Sequence, residues 1–206
     1  MIDKIFSEIY NWSKAIIFAF VFAVLINVFV VQPYTVDGSS MEPTLNGIDH
    51  YDDEKKGDRV VAFKTPFILG SSPKAGDIVI VNSEVDNQRT WKDLFLESPV
   101  LALFIDSDNK ETNIWIKRVI GEPGDTLEVR NGYVYRNGTL LNEDYIKEEM
   151  FGNIPEFIVP EDTVFVMGDN RNGSKDSRSV GPIPTDNVIG KVIFRYFPFE
   201  KMDYFN

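Results

Sequence analysis

From Ala15 to Val31 the chain runs through 17 residues of which only Asn27 is polar. A helix that is apolar on every side has no face to turn to water, so protein or lipid must surround it. The run is at the short end of what crosses a bilayer, where about 20 residues are expected. Tyr10, Trp12 and Tyr34 flank it at positions where interfacial aromatics sit. A cleaved leader would need a small-x-small site after its apolar core, and Gln32-Pro33-Tyr34-Thr35-Val36 follows instead. A buried helix would need a domain wrapped round the extreme N-terminus. The reading is therefore a single uncleaved transmembrane helix over 15–31, with a folded unit over 33–206. Lys4 and Lys14 precede the run, and no Lys or Arg follows it until Lys55. The positive-inside rule then puts 1–14 in the cytoplasm and the folded unit outside the plasma membrane.

The 206 residues carry a net charge of −11. Lys4 and Lys14 cancel Asp3 and Glu8 in the first 32 residues, so the whole excess lies on the folded unit. An acidic unit lacks the basic footprint that nucleic acid requires. It also cannot dock electrostatically on anionic lipid. With no cysteine, disulfides, a thiolate nucleophile and a cysteine-rich zinc site are excluded.

After residue 36 helical periodicity is scarce. Short strand-like runs alternate with Gly, Pro and Asn turns over 59–63, 78–82, 113–120, 126–130, 133–135, 163–167 and 188–196. Asn131-Gly132 between alternating apolar residues is a two-residue hairpin signal. The fold class is mainly β, an antiparallel unit behind an N-terminal helix. Glu143–Met150 reads as a short helix or a strand pair. Trp91–Phe104, with Leu94, Phe95, Leu96, Leu101, Leu103 and Phe104 around Pro99, is either a core-packing element or an apolar edge that meets lipid. The aromatic tail Phe194, Tyr196, Phe197, Phe199, Tyr204 and Phe205 has the same two readings.

Three segments carry candidate chemistry. They are Asp37-Gly38-Ser39-Ser40-Met41-Glu42-Pro43-Thr44-Leu45, Ile116-Lys117-Arg118-Val119-Ile120-Gly121-Glu122-Pro123-Gly124-Asp125 and Gly168-Asp169-Asn170-Arg171-Asn172-Gly173-Ser174-Lys175-Asp176-Ser177-Arg178. His50 is the sole histidine and lies among Asp49, Asp52, Asp53 and Glu54, a solvated acidic loop without the spacing of a calcium site. A serine can instead be activated by a neutral lysine. A free lysine has a pKa near about 10.4, so only about one in a few thousand is neutral at pH 7. Burial can lower that value. On a strand over 113–120, Lys117 shares a face with Trp115 and Val119, and Arg118 falls opposite with Ile116 and Ile120. Taken alone, the same pattern also fits two exposed basic residues at a strand end.

In order and spacing the three segments resemble the boxes of the bacterial type I (leader) signal peptidases: Ser-Met-x-Pro-Thr-Leu at Ser40–Leu45, Lys-Arg-x-x-Gly-x-Pro-Gly-Asp at Lys117–Asp125, and Gly-Asp-Asn-Arg-x-x-Ser-x-Asp-Ser-Arg at Gly168–Arg178. The resemblance implies a Ser-Lys dyad serine endopeptidase that removes signal peptides from secreted preproteins, with Ser40 as nucleophile and Lys117 as general base. It implies that Ser174 orients the Lys117 amine, that Asp176 and Arg178 form an ion pair, and that Asp169 and Arg171 brace the same turn. The Ser40 N–H would form part of an oxyanion hole. Gly38 stands where some relatives carry a hydroxyl donor. Val36, Met41, Leu45, Trp115 and Ile116 match positions that line shallow apolar subsites for small residues at −1 and −3. Residues 126–162 match a small non-catalytic β extension. No metal or cofactor is implied. The implied partners are preproteins and the bilayer, beside the secretion translocon.

Three rival readings are weighed. A self-cleaving Ser-Lys repressor needs a DNA-binding domain, for which this acidic chain has no basic surface. A non-enzymatic assembly chaperone of the same family typically lacks the serine or lysine. A specialised peptidase for substrates such as pilins is not separated from a general one. The eukaryotic-type enzyme has histidine at the base position, which Lys117 opposes.

Overall fold

The computed structural model describes residues 2–50, 52, 56–86, 89–96, 98 and 113–205. Helix α1 runs over Ile2–Phe29, longer at its start than the expected 15–31. Lys4, Glu8 and Lys14 precede the apolar run but are good helix formers and do not stop the helix from starting earlier. It ends at Phe29 because Pro33 lies ahead, and the residue before a proline is driven out of helical backbone. Its most apolar 18-residue stretch has a mean hydropathy of 2.1 and is almost wholly exposed. At 1.5 Å per residue the helix is long enough to cross about 30 Å of hydrocarbon.

Strand β1 (Val31–Thr35) follows directly, and its proline is tolerated because the strand lies at a sheet edge. Then come β2 (Arg59–Phe63), the short helix α2 (Thr65–Ile68), β3 (Ile78–Asn82), α3 (Trp91–Leu96) and β4 (Ile114–Gly121). A hairpin of β5 (Thr126–Arg130) and β6 (Tyr133–Arg136) is next, then β7 (Thr139–Leu140), β8 (Ile154–Ile158) and β9 (Thr163–Met167). The chain closes with α4 (Ser177–Val180), β10 (Ile183–Pro184), β11 (Val188–Phe197) and β12 (Asp203–Tyr204). The larger sheet has the order β1-β2-β11-β3-β4-β9-β10, with β12 on β11, and the smaller the order β7-β6-β5-β8. All of these pairings are antiparallel. The Asn131-Gly132 turn joins β5 to β6, both residues having positive φ as a type I′ turn requires.

Apolar alternation packs three clusters. One joins Met41 and Leu45 of the loop after β1 to Val60, Ile78, Ile80, Ile189 and Val192. A second fills the larger sheet around Val79, Val119, Val166 and Ile183. The third sits under the small sheet with Ile120, Leu127, Val129 and Met150.

Segment 143–150 forms neither a helix nor a strand pair. It is a chain of turns whose side chains are engaged elsewhere, as described below. Helix α3 packs against the end of α1: Phe95 meets Phe29 edge-on at 5.7 Å, and Ser98 Oγ donates to Asn27 Oδ1 at 2.9 Å. That bond satisfies the one polar residue of the apolar run. The rest of the expected 91–104 segment (Pro99, Leu101, Leu103, Phe104) lies outside the described residues, as do Asp53 and Glu54. In the aromatic tail, Phe199 and Tyr204 are largely exposed, whereas Phe205 packs on the first core cluster.

Candidate active site

Pairing of β4 with β9 aligns Arg118 with Met167, so the second segment and the loop that follows β9 become neighbours. The first segment is the loop after β1. Met41 and Leu45 sink it into the core, and it is stitched to the third segment: Asn170 N–H donates to the Ser40 carbonyl and Asn170 Nδ2 to the Ser39 carbonyl, each at 3.1 Å. Residues separated by 77 positions thus meet. Lys117 Nζ lies 2.8 Å from Ser40 Oγ and 2.9 Å from the Ile116 carbonyl.

Strand alternation sets the environment of that amine. Lys117 is 3 % exposed, with its Nζ 5.6 Å from the Trp115 ring centroid. Val119 lies on the same face, in the cluster that Trp115 packs on, and Ile116 packs on a different cluster. Burial lowers the Lys117 pKa to about 8. Asp176 and Asp169 pull it back up, and Arg178 pushes it down. About a tenth of the molecules then hold a neutral amine at pH 7. A neutral amine at this distance can take the hydroxyl proton as the serine attacks a carbonyl. The Ser40 N–H meets no acceptor among the described residues and is free to donate to an oxyanion.

Asp176 and Arg178 form the expected pair, with Nη2 to Oδ2 at 2.7 Å and Nε to Oδ1 at 2.8 Å. Burial alone would raise the Asp176 pKa. The Arg178 guanidinium and the Gly168 N–H outweigh it and hold the carboxyl below its usual range.

Two expectations are corrected, one for Ser174 and one for Leu45. Ser174 does not bond the Lys117 amine, whose partners are Ser40 and Ile116. Its hydroxyl is buried, close over Gly168 and the Ser40 carbonyl. A side chain at Gly168 would collide with both, its Cβ falling 2.3 Å from Ser174 Oγ and 2.4 Å from the Ser40 carbonyl oxygen.

Asp169 and Arg171, expected to brace the same turn, each engage a residue from elsewhere in the chain. Asp169 takes a bidentate pair from Arg118 at 2.9 and 2.7 Å and the Thr44 hydroxyl. Arg171, 1 % exposed, takes both carboxylate oxygens of Glu143 and donates to the Gly168 carbonyl.

Leu45 is wholly buried in the core and is not among the residues that line the cleft beside Ser40 and Lys117. Val36, Met41, Trp115 and Ile116 do line a cleft of about 270 Å³ beside Ser40 and Lys117, joined by Tyr34, Thr35, Asp37, Ile114 and Lys175. Gly38 has φ +70°, a left-handed backbone that a serine would enter only at a cost of about 1–2 kcal/mol, which is a physical reason for glycine there. His50 bonds Asp37 at 3.0 Å, and both side chains are mostly exposed.

Thr44, Arg118, Asn170 and Glu143 were not singled out from sequence. Arg118 and Asn170 sit inside the segments, but Glu143 carries no local signal at all.

The signal peptidase family, peptidase S26, matches residues 9–197. The chain belongs to that family. It is 39 % identical to a probable signal peptidase I-1 of Synechocystis, over 87 % of this chain and 78 % of that protein. It is 35 % identical to a signal peptidase I of Bacillus licheniformis, over 95 % and 92 %. It is 32 % identical to the chloroplastic thylakoidal processing peptidase 1 of Arabidopsis thaliana, over 98 % of this chain, which spans about half the length of that protein. The family is one of hydrolases, and the three boxes read from the sequence lie within the matched residues.

Proposed function

We propose that this chain is a membrane-anchored serine endopeptidase that removes N-terminal signal peptides from exported preproteins by a Ser-Lys dyad. The observation that carries the reading is the buried Lys117 amine 2.8 Å from the Ser40 hydroxyl. Neutral Lys117 takes the Ser40 proton, Ser40 attacks the scissile carbonyl, and the Ser40 N–H stabilises the oxyanion. The protonated lysine passes its proton to the leaving amine. In the second half, Lys117 accepts a proton from water, which attacks the acyl-enzyme and frees Ser40.

The cleft beside the dyad supports a preference for small residues at −1 and −3. Val36 and Met41 form its buried apolar lining, which leaves little room for bulk. The exposed apolar helix α1 supports a single span over 4–29, with residues 33–206 outside the membrane and the N-terminus in the cytoplasm on the argument of Lys4 and Lys14. Such an anchor confines enzyme and preprotein to one plane, beside the translocon that delivers them, and raises their effective concentration.

The test is cleavage of a model preprotein with an Ala-x-Ala site, in detergent, by the full chain. Wild type is expected to cut at that site, and Ser40→Ala to lose about 10⁴-fold or more in rate. A fully active Ser40→Ala variant would sink the reading.

A further inference from the structure

The turn over 143–147 belongs to the loop between β7 and β8 of the small sheet, in the part of the chain that the resemblance reads as a non-catalytic extension. It nevertheless touches all three segments of the site. Glu143 accepts from both terminal nitrogens of Arg171, at 2.5 and 3.1 Å, and the two side chains are 7 % and 1 % exposed. The Tyr145 ring lies 3.9 Å from the Arg118 guanidinium, and its hydroxyl donates to Glu143 at 2.9 Å. Lys147 N–H donates to the Asp169 carbonyl at 3.2 Å, and Lys147 Nζ pairs with Glu42 two residues after the nucleophile.

What these groups hold leads to the reacting atoms by short steps. Arg171 Nε donates to the Gly168 carbonyl, and the Arg171 carbonyl accepts from Arg178 at 2.6 Å. Gly168 N–H donates to Asp176 at 3.0 Å. Asn170, between Asp169 and Arg171, holds the carbonyls of Ser39 and Ser40. Arg118, under the Tyr145 ring, is the strand neighbour of Lys117. A buried guanidinium needs a charged partner to stay buried, and Glu143 is the one that meets both ends of the Arg171 fork.

We infer that the 143–147 turn is a positioning element for the Ser40–Lys117 pair, and that Glu143 is its principal positioning residue, acting through Arg171 on the loop that holds the Ser40 backbone. This inference rests on the proposed dyad but claims more: the small sheet and its loop set the rate of the chemistry rather than merely decorating the fold. Tyr145 seals the assembly, its own hydroxyl pushed well above the ordinary tyrosine range by burial first and by the Glu143 charge next, so it stays a donor to that carboxylate.

The experiment compares full-length wild type, Glu143→Ala, Glu143→Gln and Tyr145→Leu in detergent with two readouts. One is cleavage kinetics on the model preprotein well below the unfolding temperature. The other is NMR titration of the Lys117 amine, which needs no substrate. Glu143→Ala is expected to lose about 10- to 100-fold in kcat with KM within about threefold, since small misplacement of reacting groups is costly in rate. Its Lys117 titration moves up from about 8 toward the ordinary lysine value as water reaches the amine. Glu143→Gln, which keeps the shape and one acceptor, falls between.

A folded Glu143→Ala with wild-type kcat and an unmoved Lys117 titration overturns the inference, even if its stability has dropped. If Glu143→Ala does not fold, Tyr145→Leu decides by the same two readouts. Should wild type cleave nothing, the dyad reading fails on its own, and the titration still decides whether the turn controls the amine.

Discussion

Lys117→Met abolishes cleavage and makes the protein more stable at neutral pH. Both effects have the same origin. Folding removes the amine from water, and burial holds its pKa near 8 instead of the ordinary lysine value of 10.5. Below pH 8 the lysine is protonated in both the folded and the unfolded chain, and the full cost of burying the cation falls on the folded state. Between about 8 and 10.5 the unfolded chain binds the proton and the folded one does not, so stability rises with pH through that window. At about 1.4 kcal/mol per unit, the cost below pH 8 is up to about 3 kcal/mol. A methionine of similar length avoids it, although the Ile116 carbonyl loses a donor. Thermal unfolding of wild type and Lys117→Met from pH 7 to 10.5 checks this: the variant unfolds at higher temperature at pH 7, and the difference shrinks toward pH 10.5. Activity meanwhile falls by about 10⁴-fold or more, because among the described residues Lys117 is the base hydrogen-bonded to Ser40 Oγ. An active Lys117→Met, or one no more stable than wild type at pH 7, contradicts the account.

Asp176→Asn moves the activity of the dyad to lower pH while weakening the fold. Asp176 is fully buried and pairs with Arg178 through both carboxylate oxygens. Neutralising it leaves the guanidinium without its countercharge, at a cost of about 3 kcal/mol or more. The carboxylate is also the charge that most strongly raises the Lys117 pKa, whereas Arg178 lowers it. Asparagine keeps the bulk, and hence the burial, but removes the attraction. The Lys117 pKa then falls below about 8, and the acidic limb of the pH–rate profile shifts down. The plateau rate drops as well, since Asp176 secures the Gly168 N–H beside the Ser40 carbonyl. A limb that stays in place or shifts upward would show that the Asp176 charge does not act on the lysine.

The parts of the site legible in the sequence were those set by local periodicity and by chain order. Strand alternation put Lys117 on a face with Trp115 and Val119, and the structure buries it there. The Asn-Gly dipeptide specified a hairpin because its two positive-φ positions suit few other residues. What could not be read were contacts between distant segments. Asp169 and Arg171 are two positions apart, yet each is claimed by a residue from elsewhere, Arg118 and Glu143. Neither pairing leaves a trace in spacing. Leu45 illustrates a different failure: a motif position can be fixed by packing under the loop rather than by contact with substrate. Strands β1 and β8 were missed because Pro33 and Pro155 read as breaks, and only an edge position in a sheet makes either tolerable. The start of α1 was missed because four charged residues in its first half, Asp3, Lys4, Glu8 and Lys14, mask a helix that the sequence permits.

The most direct test of the account is the pH dependence of kcat/KM for preprotein cleavage by the wild-type chain, repeated in a His50→Gln background. The account predicts an acidic limb with an apparent pKa of about 8, the value to which burial lowers Lys117, unchanged by the loss of His50. A limb near the ordinary imidazole range that disappears with His50, or one near 10.5, would contradict a buried neutral lysine as the base that activates Ser40.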